Sequence, residues 1–244
     1  MLSVFMRHPG AADAVVSAMP KNKALLAAEF SPCRRVYAVV PDFADEAVKR
    51  FADAGLRTMR MALDRPFNTP LCSAVVPAFR KFTDGWMRME RQIDAYSCGD
   101  AGLMSRKVRT ARAETAARWA KPVRFAETIA KMHDDGYRVF VEVGPRGLLS
   151  SAADDVLKGR EYAVVALDSL NRRGTLQLQH GLAQLAAVGA ELDVTAMFQG
   201  RPVKRLDFSS VLSHELRRDS ELRLTRTFPR MTLLGFERRL TGAH

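Results

Sequence analysis

The chain has 244 residues, 47% hydrophobic and 27% charged, with a formal net charge of +11. That is apolar material enough for a core in one large domain or two small ones, and it excludes a disordered or low-complexity chain. Three cysteines, Cys33, Cys72 and Cys98, make no CxxC pair, and their odd number argues against a disulfide framework and for a reducing, cytoplasmic setting.

In chain order, "ADAVVSA" (12–18), "RRVYAVV" (34–40) and "RTMRMAL" (57–63) read as strands. Between the last two, "DEAVKRFADAG" (45–55) places Ala47, Val48, Phe51 and Ala54 on one helical face and stops at Gly55. The turn "LDRPFNTPL" (63–71) is stiffened by Pro66 and Pro70. A helix over "PLCSAVVPAFRKF" (70–82) follows, with Pro77 expected to kink or displace it. "QIDAYS" (92–97), "RVFVEV" (138–143) and "YAVVAL" (162–167) complete the expected strands, with helices over 123–136 and 175–189. Alternating strands and helices predict an α/β or mixed α+β fold. The stretch 12–63 reads as a four-strand unit with one helix, and 207–244 as an extended arm.

The positive charge gathers in two places. Residues 101–131 hold eight Lys/Arg against two acids, and residues 201–244 hold ten against five. Aromatics are sparse there and no nucleic-acid-binding spacing occurs, so a solvated basic face is expected, with phosphate-bearing partners such as coenzyme A or a carrier protein as the alternative. No apolar run approaches the roughly 20 residues of a membrane-spanning helix, and "MLSVFMRHPG" has no signal-peptide pattern, so no membrane association is expected.

The sequence contains no GxSxG, P-loop, GxGxxG, HExxH or CxxC. The five histidines are scattered; His133 and His180 fall on helices and read as surface or core-edge residues, so neither a metal site nor a cofactor is expected. The sharpest local pattern is "RVFVEVGPRGLLSSAADDVL" (138–157), a strand running through Gly144, Pro145 and Gly147 into an amphipathic helix. Such junctions are tight connections, and in α/β folds they are also where ligands sit.

Here the chain resembles a known family. "KPVRFAETIAKMHDDGYRVFVEVGPRGLLSS" (121–151) is similar to the PVRF helix and EVGP strand of malonyl-CoA:acyl-carrier-protein transacylases, specifically the acyltransferase domains of polyketide and type I fatty acid synthases. Residues 30–82, 93–102 and 182–208 resemble further segments of that family in the same order. The resemblance implies a ferredoxin-like small subdomain over 10–69, the C-terminal part of an α/β-hydrolase-like core over 70–170, and a linker with a basic tail over 171–244. It also implies acyl-CoA and an acyl carrier protein as partners.

The family's chemistry uses a GxSxG serine as nucleophile and a histidine as general base. No serine elbow is present here, and "RPFNTPL" matches the family's histidine turn with Asn68 in the histidine's place. An amide takes no proton at neutral pH. Asn68 is therefore expected to be inactive, with Phe67, Gly144 and Pro145 as substrate-pocket candidates. The family's helix between the first two strands has no visible counterpart, since only "MPKNK" (19–23) separates "ADAVVSA" from "ALLAAEF". The implied roles are a non-catalytic module of a synthase (a pseudoenzyme), or one half of a split acyltransferase completed by a serine-bearing chain. A basic binding protein unrelated to acyl transfer and a decayed gene product are the alternatives.

Overall fold

A four-residue strand, β1 (Leu2–Phe5), opens the chain and becomes an inner strand of the main sheet. The computed structural model describes residues 1–62, 65–87, 92–200, 222–224 and 231–233. After β1 come helix α1 (Ala11–Ser17), strands β2 (Ala24–Ser31) and β3 (Arg34–Val39), helix α2 (Ala44–Asp53) and strand β4 (Arg57–Arg60). The four strands lie in the order β4-β1-β3-β2, each antiparallel to its neighbours, which is the ferredoxin-like arrangement.

Two expectations are corrected here. Residues 12–18 belong to helix α1 and not to a strand, and the first strand lies upstream of them. The helix thought to be missing between strands one and two is therefore present, so both helices of the unit exist. The adjacent valines suggested a strand, but Ala12, Val15, Val16 and Met19 fall at helical spacing and pack into the core with Leu2, Val4, Tyr37 and Phe51.

Polar contacts fasten α1 to the sheet from beneath. The Tyr37 hydroxyl donates to Asp13 at 2.6 Å, and Arg35 bridges Asp13 to Glu29, the latter at 2.7 Å. Because side chains alternate along a strand, Arg34, the residue before this clamp, projects to the opposite face of the sheet, beside Phe5 and Ser3.

That opposite face is covered along β2 by the second part of the chain. Strand β5 (Tyr96–Ser97) pairs with β6 (Gly102–Leu103), and helix α4 (Val108–Ala117) follows. Only the last two residues of the 92–97 stretch are strand. Strand β7 (Val123–Arg124) then joins the main sheet beside β2, in parallel, and leads into helix α5 (Phe125–Asp134). Strand β8 (Val139–Glu142), helix α6 (Leu148–Leu157) and strand β9 (Ala163–Ala166) form a right-sized strand–helix–strand unit, with β8 and β9 parallel. Helices α5 and α6 pack on β2, and Ser31 donates to Asp155 of α6 at 3.0 Å.

Residues Pro70–Val75 form a 3-10 turn before helix α3 (Val76–Trp86), with Pro77 in its first turn, where no helical N–H is lost. Pro77 thus displaces the α-helix rather than kinking it. Helix α7 (Gly174–Ala187) lies close over β9: a Cβ on Gly181 would meet the Ala166 carbonyl at 3.3 Å. The chain divides into two compact units, Met1–Leu192 and Asp193–His244. In the second, β10 (Leu222–Leu224) pairs antiparallel with β11 (Met231–Leu233), and most of the expected 207–244 arm lies outside the described residues.

Candidate functional site

The turn before α3 is built by its own backbone and hydroxyl groups. Thr69, fully buried, donates its hydroxyl to the Pro66 carbonyl at 2.7 Å, and the Cys72 N–H donates to the Thr69 carbonyl at 2.9 Å. Asn68 stands between them in the left-handed region, with φ of 60°. Asparagine enters that region more readily than most residues. Its side-chain amide donates to the Arg118 carbonyl at 3.0 Å. Beside it, Phe67 meets Trp119 edge-on at 5.7 Å between ring centres, and Phe79 of α3 packs on the same indole at 5.0 Å. The turn is therefore sewn to the segment that follows α4, with Asn68 as a hydrogen-bond donor.

Gly144 and Pro145 lie elsewhere, on the wall of a cavity of about 620 Å³. It is also lined by Val139, Val141 and Val143 of β8 and its continuation and by Phe125 and Met132 of α5. Neither Phe67 nor Asn68 lines it, so the expected pocket residues fall into two separate places. Within the cavity wall, the Glu142 carboxylate accepts from the Ser150 N–H and hydroxyl, both at 2.7 Å, which anchors the start of α6.

Gly147 makes this junction possible. Its φ is +66°, and an added Cβ would lie 3.2 Å from both the Ala166 side chain and the Asp168 carbonyl. Among the described residues, no group of three His, Cys, Asp or Glu is placed to hold a metal ion, and no helix is long and apolar enough to cross a membrane.

No family model matches the chain. Among curated proteins it is 29% identical over 168 residues to polyketide synthase GfsA of Streptomyces halstedii, spanning 67% of this chain and 2% of that protein. It is 28% identical over 162 residues to the phenolphthiocerol synthesis polyketide synthase Pks15/1 of Mycobacterium marinum, spanning 65% of this chain and 8% of that one. Among solved structures, the acyltransferase domain from the second module of the salinomycin polyketide synthase superposes with a TM-score of 0.69 at 22% identity, over 85% of this chain and 49% of that domain. This chain has the acyltransferase-domain fold. The malonyl-CoA:acyl-carrier-protein transacylase of Clostridium perfringens shares it, with a TM-score of 0.57 at 20% identity over 77% of this chain and 57% of that one.

The chain thus spans about half the length of the acyltransferase structures it matches, and a small fraction of the curated synthases. Within the acyltransferase fold, one residue of the cavity wall went unnoticed in the sequence. Arg34 lines the cavity and lies over the rings of Phe30 and Phe5, 5.0 and 5.5 Å from their centres. The signal was the Arg34–Arg35 pair at the head of β3: consecutive strand residues face opposite ways, so only one of the two could join the α1 clamp.

Proposed function

We propose that this chain is an acyltransferase-like module of polyketide or fatty acid assembly that does not transfer acyl groups by itself and acts through binding. The observation that carries the reading is Asn68. At the position the resemblance gives to the general base, the side chain is an amide, and its N–H is already committed to the Arg118 carbonyl. A serine hydroxyl attacks a thioester only when a base removes its proton, and losing the histidine of such a pair costs about a million-fold in kcat in serine proteases. The partners this reading implies are an acyl carrier protein, acyl-CoA and a serine-bearing polypeptide that completes the fold.

The split-enzyme reading has one observation in its favour, the uncovered face of β8. Val139, Val141 and Val143 are 40, 41 and 82% exposed, although parallel strands are normally covered on both faces. A polypeptide supplying further strands would bury them.

One assay separates the two. The chain is mixed with a serine-bearing acyltransferase half, labelled malonyl-CoA and a carrier protein, and acyl transfer is followed. The binding-module reading expects no transfer that depends on this chain, and Asn68→His is expected to create or raise it. Turnover that vanishes when the unmodified chain is left out would replace this reading with the split enzyme.

A further inference from the structure

The sheet formed by β8 and β9 is finished on one face and open on the other. Phe140 of β8 and Val164 of β9 face α5 and α6, packed with Ile129, Ala153 and Leu157. On the opposite face α7 lies against Val165 of β9, whereas Val139 and Val141 of β8 stay 40 and 41% exposed. Among the described residues β9 is the one sheet neighbour of β8. Two strands by themselves are marginal, and parallel strands are normally covered on both faces.

What is open is an edge as well as a face. The carbonyls of Arg138 and Glu142 accept from the N–H groups of Ala163 and Leu167, at 2.8 and 3.1 Å. Successive residues of a strand aim their N–H and C=O groups in opposite directions, so those of Val139 and Val141 point away from β9. The cavity runs along this edge: Val139 and Val141 line it, and so do Phe140 and Glu142, whose side chains project to the other face. A cavity confined to one face would meet only one of the two sets. Arg34 and Glu142 bring one charge of each sign to the lining and the other residues are uncharged, so charge singles out neither an anion nor a cation.

We propose that a second polypeptide adds an apolar strand to this edge, parallel to β8 and hydrogen-bonded to the N–H and C=O groups of Val139 and Val141; its occupant rests on the reading that a serine-bearing polypeptide completes this fold. What the chain leaves out supports that occupant. It covers 49% of the salinomycin synthase domain and 57% of the Clostridium perfringens transacylase, so about half of the fold has no counterpart here. The direction follows from β8 and β9, since wholly parallel sheets are over-represented. Strand addition draws its affinity from main-chain hydrogen bonds and its specificity from alternate side-chain positions. A strand buried on both faces is a continuous apolar run, and the incoming one is expected to be so.

The test co-expresses the full chain with the half of the salinomycin synthase domain that it does not match, and follows hydrogen exchange at the Val139 and Val141 amides. Both are expected to exchange freely in the chain alone and to slow by about tenfold or more in the complex. Val141→Pro removes the donor aimed at the open edge and no bond to β9, and is expected to weaken the complex about tenfold or more. If circular dichroism shows that variant unfolded, exchange in the unmodified pair decides. A complex in which both amides still exchange freely, or one indifferent to Val141→Pro, overturns the added strand and leaves fold completion standing. No complex at all overturns both. Protection already present in the chain alone, and rising with its concentration, gives the edge to a second copy and overturns the proposal as well.

Discussion

Asn68 and Arg118 are fifty positions apart and joined by one hydrogen bond, from a side-chain amide to a backbone carbonyl, at 3.0 Å. The bond ties the turn before α3 to the end of α4, and it holds Asn68 at a positive φ that few side chains accept. The residue therefore has a structural task that its two halves, backbone and amide, perform together.

Those halves separate by mutation. Asn68→Gly keeps the backbone free to turn and loses only the hydrogen bond, an expected cost of about 1 kcal/mol. Asn68→Ala loses the bond and adds left-handed strain, for an expected total of about 2–3 kcal/mol. Urea midpoints read the difference, and equal losses for the two variants would contradict the role of the backbone.

Gly144 and Gly147 flank the same proline but differ in need. A Cβ on Gly144 meets nothing nearer than the Glu142 side chain at 4.0 Å, so Gly144→Ala is expected to stay within about 0.5 kcal/mol of the unmodified protein. Gly147→Ala combines positive φ with two close contacts and is expected to cost about 2 kcal/mol or more. Thermal melts of the two variants side by side check the contrast.

The exposed valines of β8 predict self-association of the chain by itself. Light scattering should report a mass above that of the monomer, and Val141→Lys should lower it with no change in helix content. A monodisperse monomer of the unmodified protein would contradict this.

The Tyr96 hydroxyl donates to Asp135 at 2.6 Å, and that bond chiefly pushes the tyrosine up to about 12, with burial adding to it. Lys131 first, and Tyr96 second, hold Asp135 below its ordinary value. The folded state therefore keeps the Tyr96 proton longer than the unfolded chain, where tyrosine titrates near pH 10. The contribution of the pair is complete below pH ~10 and disappears as pH climbs toward about 12. At the acid end it is present above pH ~4 and lost as pH falls through the depressed Asp135 value. Burial raises Tyr37 and Tyr162 as well, so in tyrosinate absorbance Tyr96→Phe should remove one late-ionising group among several, and Asp135→Asn should bring that one earlier.

The α2 helix and the β8–α6–β9 unit were legible because each combined apolar periodicity with glycine or proline punctuation. Helix α1 was not, because two adjacent valines in seven residues satisfy both periods and only packing against Phe51 and Tyr37 decides. Helix α4 was equally silent: it buries Ala111, Thr115 and Ala116, too small a face to show as a hydrophobic stripe. At the site, Asn68 and Gly144 could be found by motif. The partition of Phe67 from the cavity, and the presence of Arg34 in it, come from which strand faces are brought together over long separations.

Strand β7 pairs in parallel with β2 through Ala28 with Val123 and Glu29 with Arg124. The ferredoxin-like sheet thus continues through backbone hydrogen bonds into β7, which runs straight into α5, whereas β8 and β9 pair in a sheet of their own. Swinging α5 away from the ferredoxin-like sheet would have to tear a strand from its edge.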